Sequence, residues 1–214
     1  MNKNFHLGDL LKKLAVRASI LILIFIIATV FGYITYEKNK ELIQEVIHSL
    51  VKKNIDKGSK IRTSLNIFLN NLFSSLVAYI GGFFIFLPAL VVFINGFFLG
   101  SFFRYLLETK RKDVIFLFKG IIPHGIFELP AFFLAASLGI YVAENLILSL
   151  YRLFLISLRK GNFKETLRQE AANILTVVKE TTVIFLLFVP PLLLVAAIVE
   201  VFITSQLLGV KWFS

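Results

Sequence analysis

Long apolar runs separated by short charged stretches dominate the chain. The first run covers roughly residues 15–36 and is almost purely aliphatic after Arg17. Residues 37–58 change character: Leu42, Ile43, Val46, Ile47, Leu50, Val51 and Ile55 recur at helical spacing, with Glu41, Glu45, Lys52 and Lys53 on the opposite face. That pattern predicts an amphipathic helix lying on or outside the hydrocarbon, with Gly58 as its C-terminal stop. From Ser64 to Phe103 there is neither an acid nor a base. One span needs about 20 residues, so this stretch predicts two spans, 64–86 and 88–107, with the reversal marked by Gly81-Gly82 and Pro88.

The second half is less regular. A basic loop over 108–119 leads into an apolar segment, 120–143. Its opening, Pro123-His124-Gly125-Ile126-Phe127-Glu128-Leu129-Pro130-Ala131, packs two prolines, a glycine and two ionisable groups into one short stretch. Such a segment predicts a broken or re-entrant helix. Residues 141–159 stay apolar but carry Glu144, Arg152 and Arg159. Asn162 with Glu165 three positions on resembles a capping box. An amphipathic helix over 162–179 follows and runs into a last span, 181–207, interrupted by Pro190-Pro191 and carrying Glu200. Trp212 reads as an interfacial anchor. The expected fold is an all-α, polytopic membrane bundle of about five transmembrane segments, one or more broken or re-entrant, with amphipathic surface helices, in a single membrane domain.

Composition strengthens this reading. Apolar residues make up 57% of the 214, and mean hydropathy is +0.83, above the range of soluble domains. Backbone polar groups in lipid must be satisfied internally, which leaves helices or closed barrels. Unbroken runs exclude the alternating segments of a barrel. The first run is longer than a signal-peptide core and lacks a small-x-small cleavage site, so it is expected to be retained.

Net charge is +10. Nearly all the Lys and Arg lie between apolar runs, where they anchor loops at lipid headgroups; no nucleic-acid partner is expected. Orientation is not decided by charge. Five plain crossings put twelve basic residues, from 37–63 and 104–119, opposite ten from 1–17 and 144–179. A re-entrant 120–143 gathers eighteen on one side against five, which the positive-inside rule prefers.

The chemistry-bearing residues are few. There is no cysteine, and the chain has three histidines. His124 and Glu128 are spaced to share one helix face. A charged group at mid-bilayer costs about 2.5–3.5 kcal/mol on insertion scales, so these two and Glu200 are expected to meet in one intramembrane polar centre, with Asn70, Asn71 and Asn95 near enough to join. Two readings of that centre stand open: a structural clamp holding disturbed helices, or a site for a proton, an ion or a substrate. One His and one Glu make a poor zinc set, so neither metal nor cofactor is expected. No Gly-x-Ser-x-Gly elbow or phosphate-binding glycine loop occurs, and no catalytic residue is assigned. Gly96-x-x-x-Gly100 predicts close packing on another helix, within the chain or across a homo-oligomer.

Four motifs occur in a fixed order: Phe68-Leu69-Asn70-Asn71-Leu72, Phe93-Ile94-Asn95-Gly96-Phe97-Phe98-Leu99-Gly100, the Pro123–Ala131 stretch, and Ile198-Val199-Glu200-Val201-Phe202-Ile203-Thr204. In these the chain resembles the stage II sporulation protein M family, over about residues 10–207. In endospore formers that resemblance implies a multi-spanning protein that assembles with peptidoglycan-degrading partners during septal wall thinning and engulfment; relatives also occur in bacteria and archaea that form no spores. The function expected here is accordingly a non-enzymatic scaffold or assembly subunit of the cell membrane, in contact with the bilayer and with other membrane or cell-envelope proteins. The alternative is a transporter or channel-like protein working at His124, Glu128 and Glu200.

Overall fold

A computed structural model describes residues 7–55, 59–109, 114–158 and 162–208. Gly58 and Trp212 lie outside them. The described residues form helices throughout: α1 (Leu7–Thr35), α2 (Lys40–Asn54), α3 (Lys60–Ile80), α4 (Leu87–Thr109), α5 (Val114–Leu158), α6 (Phe163–Val199) and the short α7 (Ser205–Leu207). A 3-10 turn over Tyr36–Asn39 joins α1 to α2, and a π-helical segment, Glu200–Thr204, joins α6 to α7. Five helical stretches are long and apolar enough to cross a membrane.

Local signals set the helix ends. Ser59 caps α3 by accepting from the Arg62 amide at 3.2 Å, and Asn162 caps α6 by accepting from the Glu165 amide at 3.3 Å. Between α3 and α4 the chain reverses through a 3-10 turn, Gly81–Phe84, and Ile85 takes φ 59°. That left-handed conformation is strained for a β-branched residue. Pro88 sits in the first turn of α4, where its missing N–H leaves nothing unpaired.

The segment 120–143 is neither broken nor re-entrant. It belongs to α5, a single helix of 45 residues with Pro123 and Pro130 inside it. A membrane helix tolerates proline because neighbouring helices and small adjustments compensate for the missing hydrogen bonds. Pro190 and Pro191 are likewise absorbed within α6. The arrangement is compatible with five plain crossings, each helical stretch being long and apolar enough for one. The described residues of 37–63 and 104–119 lie at one end, called here the α2 end, and the start of α1 with the end of α5 and the start of α6 lies at the other. A continuous α5 removes the re-entrant segment on which the clustering of basic loops on one side was based.

Backbones approach most closely where glycine permits. Gly96 and Gly100 on α4, with Gly32 on α1, form one crossing: a Cβ at Gly96 would lie 2.6 Å from the Phe25 carbonyl oxygen, one at Gly100 would strike that of Thr29, and one at Gly32 that of Phe97. Ser101 Oγ donates to the Gly32 carbonyl across the same seam, at 3.1 Å. A second crossing places Gly82 against Gly139 of α5, again with no room for a side chain. Polar ties complete the bundle. The Tyr79 hydroxyl reaches the hydroxyls of Thr181 (2.9 Å) and Thr182 (2.8 Å), while its ring stacks on Phe185. Arg17 of α1 pairs with Glu144 of α5 and lies over the Tyr141 ring.

Two outcomes follow from this architecture. Overpacking a filled site costs about 1–3 kcal/mol, so Gly100→Leu should lower the melting temperature in detergent by several degrees, whereas Gly8→Leu, with open space around it, should leave it unchanged. Single cysteines placed at Lys52 and Lys164 should react with an impermeant thiol reagent from opposite faces of sealed vesicles; reaction from the same face contradicts five plain crossings.

Candidate functional site

Helical periodicity on four helices builds one cavity. Along α3 the inward positions are Ile67, Asn71, Ser74 and Ser75; along α4, Asn95, Phe98, Leu99 and Phe102; along α5, Ile121, His124, Gly125, Glu128, Leu129 and Phe132. Each set repeats at three or four residues, the signature of a single helix face. α6 adds Leu193, and the π-helical segment that follows it adds Glu200. The cavity holds about 430 Å³ and reaches the α2 end, where Ile47, Asn54 and Ile55 line it.

His124, Glu128 and Glu200 meet in this cavity, with one nitrogen or carboxyl oxygen from each lying within 4.8 Å of the others. His124 Nε2 stands 3.9 Å from Glu128 Oε2, too far for a hydrogen bond. No hydrogen bond among the described residues joins the three to one another, and His124 Nδ1 is buried without a partner. The mutual hydrogen bonds of a tight clamp are therefore missing. Two carboxyls and an imidazole brought together in this way could hold a cation.

The π-helical segment positions Glu200. The Ser205 amide donates to the Glu200 carbonyl, a span of five residues instead of four. Widening the helix there turns the side chains that follow relative to those before. Such single-turn bulges interrupt an α-helix at a small cost and recur at functional sites.

Of the asparagines, Asn71 and Asn95 line the cavity and Asn70 does not. Adjacent helix residues point about 100° apart, and on α3 that rotation carries Asn70 off the lining face while Asn71 stays on it. Asn95 donates to Ser74 Oγ at 3.2 Å and to the carbonyl of Val91 at 2.8 Å, which ties α4 to α3. Sequence reasoning missed Ser74, Ser75 and Asn54. The signal was present for the serines: with Asn71 they form an i, i+3, i+4 polar stripe in an otherwise apolar run. Asn54, on the amphipathic α2, carried none. Gly96 and Gly100 belong to the α1–α4 crossing described above.

Close carboxyls in apolar surroundings crowd one another and lose solvation. In protein treated with EDTA, Glu200→Gln should therefore raise the thermal midpoint by a few degrees. A lowered midpoint would show that the carboxylate is stabilising as it stands.

A family model described as stage II sporulation protein M matches residues 21–205. No curated protein and no solved structure matches the chain.

Proposed function

Since the chain belongs to the stage II sporulation protein M family, we propose that it is a non-enzymatic, multi-pass scaffold of the cell membrane, an assembly subunit that holds partner proteins at the bilayer. The observation that carries this reading is the length of the α5–α6 hairpin. α5 has 45 residues and is about 67 Å long at 1.5 Å per residue. The hydrocarbon core is about 30 Å thick, so a long stretch of the hairpin must project from it. The charged residues Glu144, Arg152, Lys164, Glu165, Arg168, Glu170 and Lys179 identify that stretch as roughly 144–158 of α5 and 163–180 of α6.

The projecting helices are joined by a polar tie, with Ser149 Oγ donating to Glu170 at 2.7 Å and Arg152 donating to the same carboxylate at 3.2 Å. Yet Leu150, Phe154 and Leu158 are 54%, 60% and 66% exposed. Exposed apolar side chains gathered on one element mark an interaction surface. A braced, apolar-faced hairpin suits an assembly subunit.

One observation favours the transporter reading: the cavity that reaches the α2 end contains Glu128. The two readings diverge in their tests. For a scaffold, Phe154→Ser with Leu158→Ser should leave the melting temperature within a few degrees of the parent, and should strip a stoichiometric partner from protein solubilised out of its native membrane. If the parent comes out of that membrane without a stoichiometric partner, the scaffold reading is wrong. For a transporter, Glu128→Gln should abolish a cation flux into proteoliposomes while the fold survives.

A further inference from the structure

The geometry points to a divalent transition-metal site at His124, Glu128 and Glu200, of the kind that takes Zn²⁺ or Mn²⁺. It stands apart from the scaffold reading, since none of these residues lies in the projecting hairpin.

The first support is the donor set. One imidazole and two carboxylates come from two helices and meet within 4.8 Å. Donors bound at about 2.1 Å to a common ion lie at most about 4.2 Å apart. The His124–Glu128 separation, 3.9 Å, already falls inside that limit. Glutamate side chains have three rotatable bonds, and turning Glu200 by a fraction of an ångström closes the remainder. Sequence reasoning dismissed a metal because it counted only His124 and Glu128; the bundle supplies the third ligand from far along the chain.

The second support is independent of those three side chains. Ser75, on α3, lines the same cavity. Its side chain is almost wholly enclosed, the residue being 1% exposed, and its Oγ has no hydrogen-bond partner. Other buried hydroxyls in this bundle, those of Ser137, Thr181 and Ser205, return a hydrogen bond to a carbonyl one turn back. A buried hydroxyl left unpaired costs about 1–3 kcal/mol, so a polar guest in the cavity, such as a water on the ion, would satisfy it. His124 Nδ1 is also unpartnered, so no protein hydrogen bond to that nitrogen fixes the ring.

The type of ion follows from charge and softness. Two carboxylates present two negative charges, which a divalent ion neutralises, relieving their repulsion and the penalty for holding charge in apolar surroundings. An imidazole nitrogen favours Zn²⁺ over Ca²⁺ and Mg²⁺, which prefer oxygen throughout, while the two carboxylates suit Mn²⁺. Three protein ligands leave a coordination position for water or a guest in the cavity. Bound there, the ion would join α5 to the π-helical segment after α6.

The test uses the full chain, purified in detergent, stripped with EDTA and titrated separately with Zn²⁺ and Mn²⁺. Bound metal is counted by mass spectrometry and the ligands are read by X-ray absorption. The expected result is about one equivalent of at least one of the two ions, a raised melting temperature, and a spectrum of one imidazole with oxygen ligands. Glu128→Gln and Glu200→Gln should each weaken binding by about tenfold or more, while Glu165→Gln, at the exposed start of α6, should not. Absence of bound metal in the folded parent overturns the proposal. So does a spectrum with two or more imidazoles, which would place the ion at His6 or His48. Should either glutamine variant fail to fold, the parent's stoichiometry and spectrum decide the matter alone.

Discussion

The glycine seam between α1 and α4 is the contact on which the rest of the bundle depends. Lipid tails are as apolar as leucine, so no hydrophobic force drives two spans together inside a bilayer; close van der Waals packing does. At Gly32, Gly96 and Gly100 that packing is backbone against backbone, with carbonyl oxygens where side chains would otherwise stand. The seam brings Phe25 of α1 edge-on against Phe133 of α5, ring centres 5.4 Å apart. Around that contact Leu21, Ala78, Val92, Phe132 and Ala136 form a buried cluster drawing on four helices. The Gly82–Gly139 approach repeats the device between the α3–α4 turn and α5. With α5 held at both places, His124 and Glu128 face the cavity that Asn95 lines.

Much of this was legible in the sequence. Hydropathy foresaw about five stretches long and apolar enough to span, because a bilayer demands long apolar runs of any helix that crosses it. The tight α3–α4 reversal was visible in Gly81-Gly82 and Pro88, and the start of α6 in Asn162 and Glu165. The same logic failed at 120–143. Pro123 and Pro130 break helices in water, but in a packed membrane bundle the neighbours compensate, and α5 runs through both. The preference for re-entry failed with it, since it rested on counting loop charges.

The cavity was legible only in part. Cost arguments mark His124, Glu128 and Glu200 as residues that should not face lipid, and all three line it. A cost argument does not fix direction, however. Asn70 and Asn71 are equivalent by composition, and only the rotation of α3 decides which turns inward. Nor does a cost argument fix distance: it brings Glu200 to the same centre as His124 and Glu128, but how near the three donors come is set by the packing of α6 on α5 and by the π-helical turn, which leave no pattern in local sequence.

What unites the fold and the site is the idea that residues from α3, α4, α5 and α6 converge on one cavity entered from the α2 end. The absence of native cysteine makes this directly measurable. A single cysteine at Asn71 should react with a small, impermeant, water-soluble thiol reagent applied to the α2 face of oriented vesicles, and not when the reagent is applied to the opposite face. A cysteine at Leu187, exposed on the outer side of α6, should resist from both. If the Asn71 position is unreactive from the α2 face while Lys52→Cys reacts there, no such entrance exists and the convergence described here is wrong.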